Sequence, residues 1–161
     1  MLNIDFYNMF ININFDNILY ETDNPLVNSK EFYLNYKKQY FDKNKNKFFS
    51  QGEAIRWILK DDEGKLIGRV AAFINKKSAG SFEQKTGGMG FFECIENIEA
   101  SAILFNACKN WLTEREMEAM DGPINFGEKD RWWGLMIDGF KMPTYCMNYN
   151  PSYYQKLFER S

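Results

Sequence analysis

The stretch Asn125-Phe126-Gly127-Glu128-Lys129-Asp130-Arg131-Trp132-Trp133-Gly134 alternates polar groups with aromatic rings. Small-molecule sites are built from such mixtures, apolar walls with a few polar groups that fix orientation. Glu128 is the natural proton acceptor here, provided burial lifts its carboxyl toward neutrality. Asn125, Arg131, Trp132 and Trp133 would then hold the substrate. The same residues also suit a loop whose tryptophans fill the core and whose charges are solvated, the commoner use of such side chains. A second polar–aromatic group follows at Tyr145, Asn148, Tyr149 and Asn150. Tyr145 and Tyr149 can stack on a ligand or pack half-buried with their hydroxyls in water. Asn150 precedes Pro151 and is placed to cap a helix whose first residue is that proline.

None of the 161 residues is a histidine. That excludes every mechanism in which imidazole is base, nucleophile partner or metal ligand. Any proton transfer falls to a carboxylate or a tyrosine. Cys94, Cys108 and Cys146 are odd in number, widely spaced and set beside apolar residues. They support neither a disulfide framework nor a CxxC metal site, and fit buried free thiols in a reducing compartment. Cys146 has no histidine or helix N-terminus to activate it as a nucleophile. Glu93 and Glu96 bracket a strand end, and solvated surface is the default place for both. Lys85-Thr86-Gly87-Gly88-Met89-Gly90 lacks the GxxxxGK[ST] spacing of a phosphate loop and precedes a strand, so it reads as a flexible turn.

The charge balance, 20 basic against 22 acidic side chains for a net −2, excludes the basic footprint of a nucleic-acid binder. The lysines between Lys43 and Lys47 alternate with asparagine and read as a solvated loop. The first 15 residues carry no Lys or Arg, and no apolar run approaches the ~18 residues of a membrane helix. The expectation is a cytoplasmic protein with no membrane segment and no metal site. Its length and its 45% hydrophobic content suit one globular domain spanning 1–161.

The elements that must position these residues follow from periodicity. Residues 2–20 fit a strand and a short helix, and residues 21–25 are turn chemistry. Phe32, Tyr33, Tyr36 and Tyr40 recur at helical spacing over 29–41, with Ser29 as N-cap. Residues 54–60 and 66–75 form a β-hairpin about a turn in which Gly64 supplies positive φ. A polar loop over 76–88 leads to a strand at 89–95. Asn97 caps a helix reaching about residue 116, with Ile98, Ala102, Phe105, Cys108 and Leu112 on one face. A strand at 120–126, bent at Gly122-Pro123, a glycine-punctuated stretch over 127–142, a strand at 145–149 and a last helix from Asn150-Pro151 complete the chain. Antiparallel neighbours followed by a strand–helix–strand crossover give an α+β pattern, helices packed on a central, mostly antiparallel sheet.

Several segments together resemble the GNAT (N-acetyltransferase) superfamily, in particular a bacterial acetyltransferase-like branch. They are Gly68-Arg69-Val70-Ala71-Ala72-Phe73-Ile74-Asn75, Gly90-Phe91-Phe92-Glu93-Cys94-Ile95, Trp111-Leu112, Gly122-Pro123-Ile124-Asn125-Phe126-Gly127-Glu128, Gly139-Phe140, and Tyr149-Asn150-Pro151 with Tyr153-Tyr154. Leu19-Tyr20, Asp23-Asn24-Pro25 and Phe48-Phe49 fit as well. The resemblance implies a GNAT-like fold and an N-acyltransferase taking its acyl group from acetyl-CoA or another acyl-CoA. It places the donor where the fourth strand meets the long helix, at Cys94, Ile95, Asn97 and Ser101. It also implies a tyrosine acid on the last helix. The family position falls near Leu157, and Tyr153 and Tyr154 lie one turn earlier. Relatives bind the diphosphate with a glycine-rich loop, whereas this chain reads Glu96-Asn97-Ile98-Glu99-Ala100-Ser101, two carboxylates and no glycine. The alternative reading is therefore a non-catalytic module that keeps the fold and binds a small-molecule ligand or a protein. Relatives also continue past the last helix with a further strand, so the expectation is a chain shortened at its C-terminal end or a homodimer that completes the sheet.

Overall fold

The computed structural model of the protein describes residues 3–6, 42–79, 83–124, 126, 134–141 and 149–161, the first four through their backbone alone. Five strands form one sheet in chain order: β1 (Asn3–Phe6), β2 (Gly52–Lys60), β3 (Leu66–Asn75), β4 (Thr86–Cys94) and β5 (Ala119–Asp121). The first three pairings are antiparallel and the last is parallel. The parallel step requires a crossover, and the long helix α2 (Ile98–Thr113) supplies it. A short 3-10 turn (Lys47–Ser50), a single-turn helix α1 (Lys76–Ala79) and a terminal helix α3 (Tyr154–Glu159) complete the described elements.

The β2–β3 hairpin forms as the alternating pattern requires. Asp61 organises its turn, its carboxylate accepting from the backbone N–H groups of Glu63 and Lys65 at 3.1 and 2.8 Å. Gly64 follows with φ +80°, a conformation that a side chain would strain. Trp57 and Leu59 alternate with more exposed neighbours on β2, whereas β3 is buried along nearly its whole length, because both of its faces are covered.

On one face, Trp57, Val70, Ala72, Met89 and Phe92 pack under Leu104, Phe105, Cys108 and Leu112 of α2 and Leu157 of α3. Phe92 stacks on Phe105 with centroids 5.0 Å apart, and Phe158 meets both rings edge-on. Each such pair contributes ~0.5–1.5 kcal/mol beyond area burial. On the other face Phe73, Phe91 and Phe126 form a second cluster with Phe48 and Phe49 of the 3-10 turn. Asn46 ties that turn to the same cluster, donating to the Phe126 carbonyl at 3.0 Å.

Three expectations are corrected. The glycine-rich segment is part of β4 rather than a flexible turn. A Cβ on Gly87 would strike Leu112, and one on Gly90 would lie 1.7 Å from the Ile124 carbonyl oxygen, so the glycines are sites of close approach. The strand expected over 120–126 stops at Asp121. Gly122-Pro123 interrupts it, and the ladder resumes only as one bond from Ile124 N–H to the Met89 carbonyl at 2.9 Å. The last helix begins at Tyr154, after a turn at Pro151. The helix expected over 29–41 and most of the strand at 145–149 lie outside the described residues. No helix among the described residues is long and apolar enough to cross a membrane.

Candidate functional site

Several polar contacts gather at the C-terminal end of β4, two of them from Tyr153 and Tyr154. Its geometry starts from a bulge. The β3–β4 register passes from Arg69 opposite Glu93 to Ala71 opposite Gly90, so Phe91 and Phe92 both stand against Val70. Phe91 takes φ +52°, rare for a residue with a Cβ. Such bulges re-aim side chains and cluster beside functional sites. Here Phe91 joins the Phe73–Phe126 cluster and Phe92 joins the opposite one, packing against α2 and α3.

Beyond the bulge, Glu93 turns to the Phe91 face and pairs with Arg69 across the strands, both side chains largely buried. The expectation of a solvated Glu93 is thereby corrected: the Arg69 guanidinium, one residue from its register partner's bulge, holds the carboxylate inside. The sequence signal was a lone arginine in the otherwise apolar run of β3.

Cys94 follows, and the last helix closes on its backbone. Its N–H donates to the Tyr154 phenol oxygen at 3.1 Å, and its carbonyl accepts from the Tyr153 hydroxyl at 2.8 Å. The two rings meet edge-on at 5.2 Å. Burial, with the nearby negative charge of Glu93 as a smaller cause, pushes the Tyr154 phenol well above its ordinary range, so it keeps its proton throughout the neutral region. Burial pushes the Cys94 thiol up to about 12 and the Cys108 thiol higher still, so neither is a thiolate nucleophile.

Three residues onward stands Asn97, and α2 begins after it. The Asn97 side chain accepts from the Ala100 N–H at 2.9 Å, as an N-cap does. The Asn97 carbonyl accepts from the Ser101 N–H, and the Ser101 hydroxyl donates back to the Ile98 carbonyl at 2.8 Å. Ile95 is 44% exposed between these groups. Glu99 sits in the first turn, where its charge complements the helix dipole.

Of the residues singled out in the sequence, Cys94, Ile95, Asn97, Ser101, Tyr153 and Tyr154 thus gather at one end of β4. Tyr149 stands elsewhere, half-buried and edge-on to Phe140 at 6.5 Å. Asn125, Glu128, Arg131, Trp132, Trp133, Tyr145 and Cys146 lie outside the described residues. Asn150 is not the cap of α3, which the structure corrects. Its buried amide instead grips Met136, accepting from the N–H at 2.9 Å and donating to the carbonyl at 3.1 Å. This pairing satisfies a backbone amide with a side-chain amide, as a neighbouring strand would.

The fold is similar to that of the "Putative acetyl transferase from Pyrococcus furiosus", with a TM-score of 0.52 and 16% identity over 78% of this chain and 83% of that one. In sequence, 93 residues are 29% identical to "Protein YghO" of Escherichia coli (strain K12), covering 56% of this chain and 23% of that protein. The match therefore spans less than a quarter of that relative's length. No family model matches the chain. The likeness in structure establishes an acetyltransferase-like α+β fold, the architecture expected from the sequence.

Proposed function

We propose that the chain is an acyltransferase-like protein of the GNAT type that moves an acyl group from a thioester donor to an amine. In the overall reaction the acyl C–S bond breaks, a C–N bond forms, and the proton released by the amine ends on the departing sulfur. The observation that carries this reading is the end of β4 that runs on beyond its neighbour. The β4–β5 ladder runs from Thr86–Ala119 to Gly88–Asp121, the Ile124 N–H still reaches the Met89 carbonyl, and beyond that β4 bulges and its far end faces Tyr153 and Tyr154. The acetyltransferase-like fold supports the same reading. Tyr154 and Tyr153, both anchored on Cys94, are the proposed donors of the proton to sulfur. Burial keeps the Tyr154 phenol protonated at neutral pH, so it is not a base there. Glu128 is the proposed acceptor of the amine proton, with Asn125, Arg131, Trp132, Trp133, Tyr145 and Tyr149 on the acceptor side.

The second reading is a binding module without catalysis. The tyrosine phenols favour it, because both are engaged with the backbone of Cys94.

Thermal melting with S-acetyl-pantetheine and with acetyl-CoA tests the first reading. A ligand at ~100 times its dissociation constant stabilises the native state by ~2.7 kcal/mol. For a chain of this size that raises the melting temperature by roughly 5–10 °C. No shift with either thioester at millimolar concentration sinks the transfer reading.

A further inference from the structure

Coenzyme A, the donor that the GNAT resemblance implies, carries a diphosphate that a helix N-terminus ordinarily receives. The N-terminus of α2 does not fit one. Reception of a phosphate needs unengaged N–H groups and a backbone bare enough to be approached. Here the Asn97 N–H bonds the Ile95 carbonyl and the Ala100 N–H is spent on the Asn97 side chain, which leaves only the Ile98 and Glu99 N–H groups of this turn to meet a phosphate. Every position from Glu96 to Ser101 carries a Cβ, because the segment contains no glycine. Glu96 and Glu99 are both exposed at this turn, where their charges repel an incoming anion. Ile95 is exposed at the junction and offers a diphosphate nothing.

We infer that the N-terminus of α2 is closed to a diphosphate, so that a coenzyme A thioester gains no grip there over the corresponding pantetheine thioester. The inference rests on the transfer reading for its biological sense, but the closure is a property of residues 95–101 alone. It defines the donor class as a thioester recognised at its acyl and pantetheine end, with the nucleotide left outside the site.

Calorimetric titration of the whole chain with coenzyme A and with pantetheine tests it, combined with amide resonances assigned over 96–101. The expected result is two dissociation constants within tenfold of each other, with the Ile98 and Glu99 amides unmoved by coenzyme A. Tighter binding of coenzyme A by tenfold or more overturns the inference, as does a saturable shift of those two amides on adding it. If neither compound binds and the amides stay in place, the closure stands and it is the transfer reading that falls.

Discussion

Arg69 and Glu93 stand opposite each other on β3 and β4, and their side chains form an ion pair with only 11% and 15% of their surfaces exposed. The pair lies on the sheet face away from α2, between the bulge at Phe91 and the tyrosine-held backbone of Cys94. It therefore fixes the strand end on which both proposed proton donors are anchored. Removing one member leaves the other charge in a poorly solvated place, which costs ~3–5 kcal/mol when burial is complete.

Arg69→Met and Glu93→Leu are accordingly each expected to lower the unfolding free energy by about 3 kcal/mol in urea titrations. The double variant should recover part of that loss, because neither of these two charges is then left facing the site of the other. A double variant as unstable as the sum of the singles would show that the pair acts through other neighbours.

The tyrosine clamp predicts an asymmetry. Tyr154→Phe strips the acceptor from the Cys94 N–H inside the core, where an unsatisfied donor costs ~1–3 kcal/mol. Tyr153 is half-buried and its loss unpairs a carbonyl, which is tolerated better than an unpaired N–H, so Tyr153→Phe should cost less than Tyr154→Phe. Urea titration of both variants checks the order. Amide exchange at Cys94 should accelerate in Tyr154→Phe and stay near its original rate in Tyr153→Phe.

The buried ionisable groups set an alkaline limit. Cys94, Cys108 and Tyr154 all have their proton-loss raised by burial, Cys94 to about 12. In the unfolded chain the thiols ionise near pH 9 and the phenol near pH 10. Above pH 9 these three groups thus hold more protons in the folded state than in the unfolded state, and their contribution to stability falls as pH rises. It is present in full below pH 9 and is lost progressively as the pH climbs through 12. Replacing Cys108 with Ala should flatten the decline between pH 9 and 11 in denaturant titrations. An unchanged slope would remove that thiol from the account.

How much of this was legible in the sequence depends on whether the deciding contact is local. The hairpin at Asp61–Gly64 and the N-cap at Asn97 were readable, because each is settled within four residues. The glycine-rich part of β4 was not. Glycine carries no side-chain period, and what demands it there is Leu112, Phe73 and the Ile124 carbonyl, which approach from elsewhere in the chain. Glu93 looked solvated because its partner lies 24 residues away across a strand register. The tyrosines of α3 were found through resemblance. Their target, the Cys94 backbone some 60 residues earlier, has no sequence signal at all.

Asn150 was misread for the same reason, and its observed role yields the last prediction. An asparagine before a proline has the local form of a helix cap, but the winning partner is Met136, 14 residues back. The side chain also donates to the Pro151 carbonyl at 3.0 Å, so one amide ties the Met136 backbone to the turn that precedes α3. Asn150 is 6% exposed, and its replacement by Ala would leave the Met136 amide without its partner. Asn150→Ala is expected to cost ~2 kcal/mol, within the range for an unsatisfied buried backbone group. Asn150→Asp keeps an acceptor but sets a buried carboxylate against the Met136 and Pro151 carbonyl oxygens, so it should cost at least as much as Asn150→Ala. Hydrogen exchange should locate the loss: protection at Met136 drops in Asn150→Ala, while the β2–β3 hairpin exchanges as before. Equal loosening of the hairpin would mean that Asn150 supports the whole fold rather than this one junction.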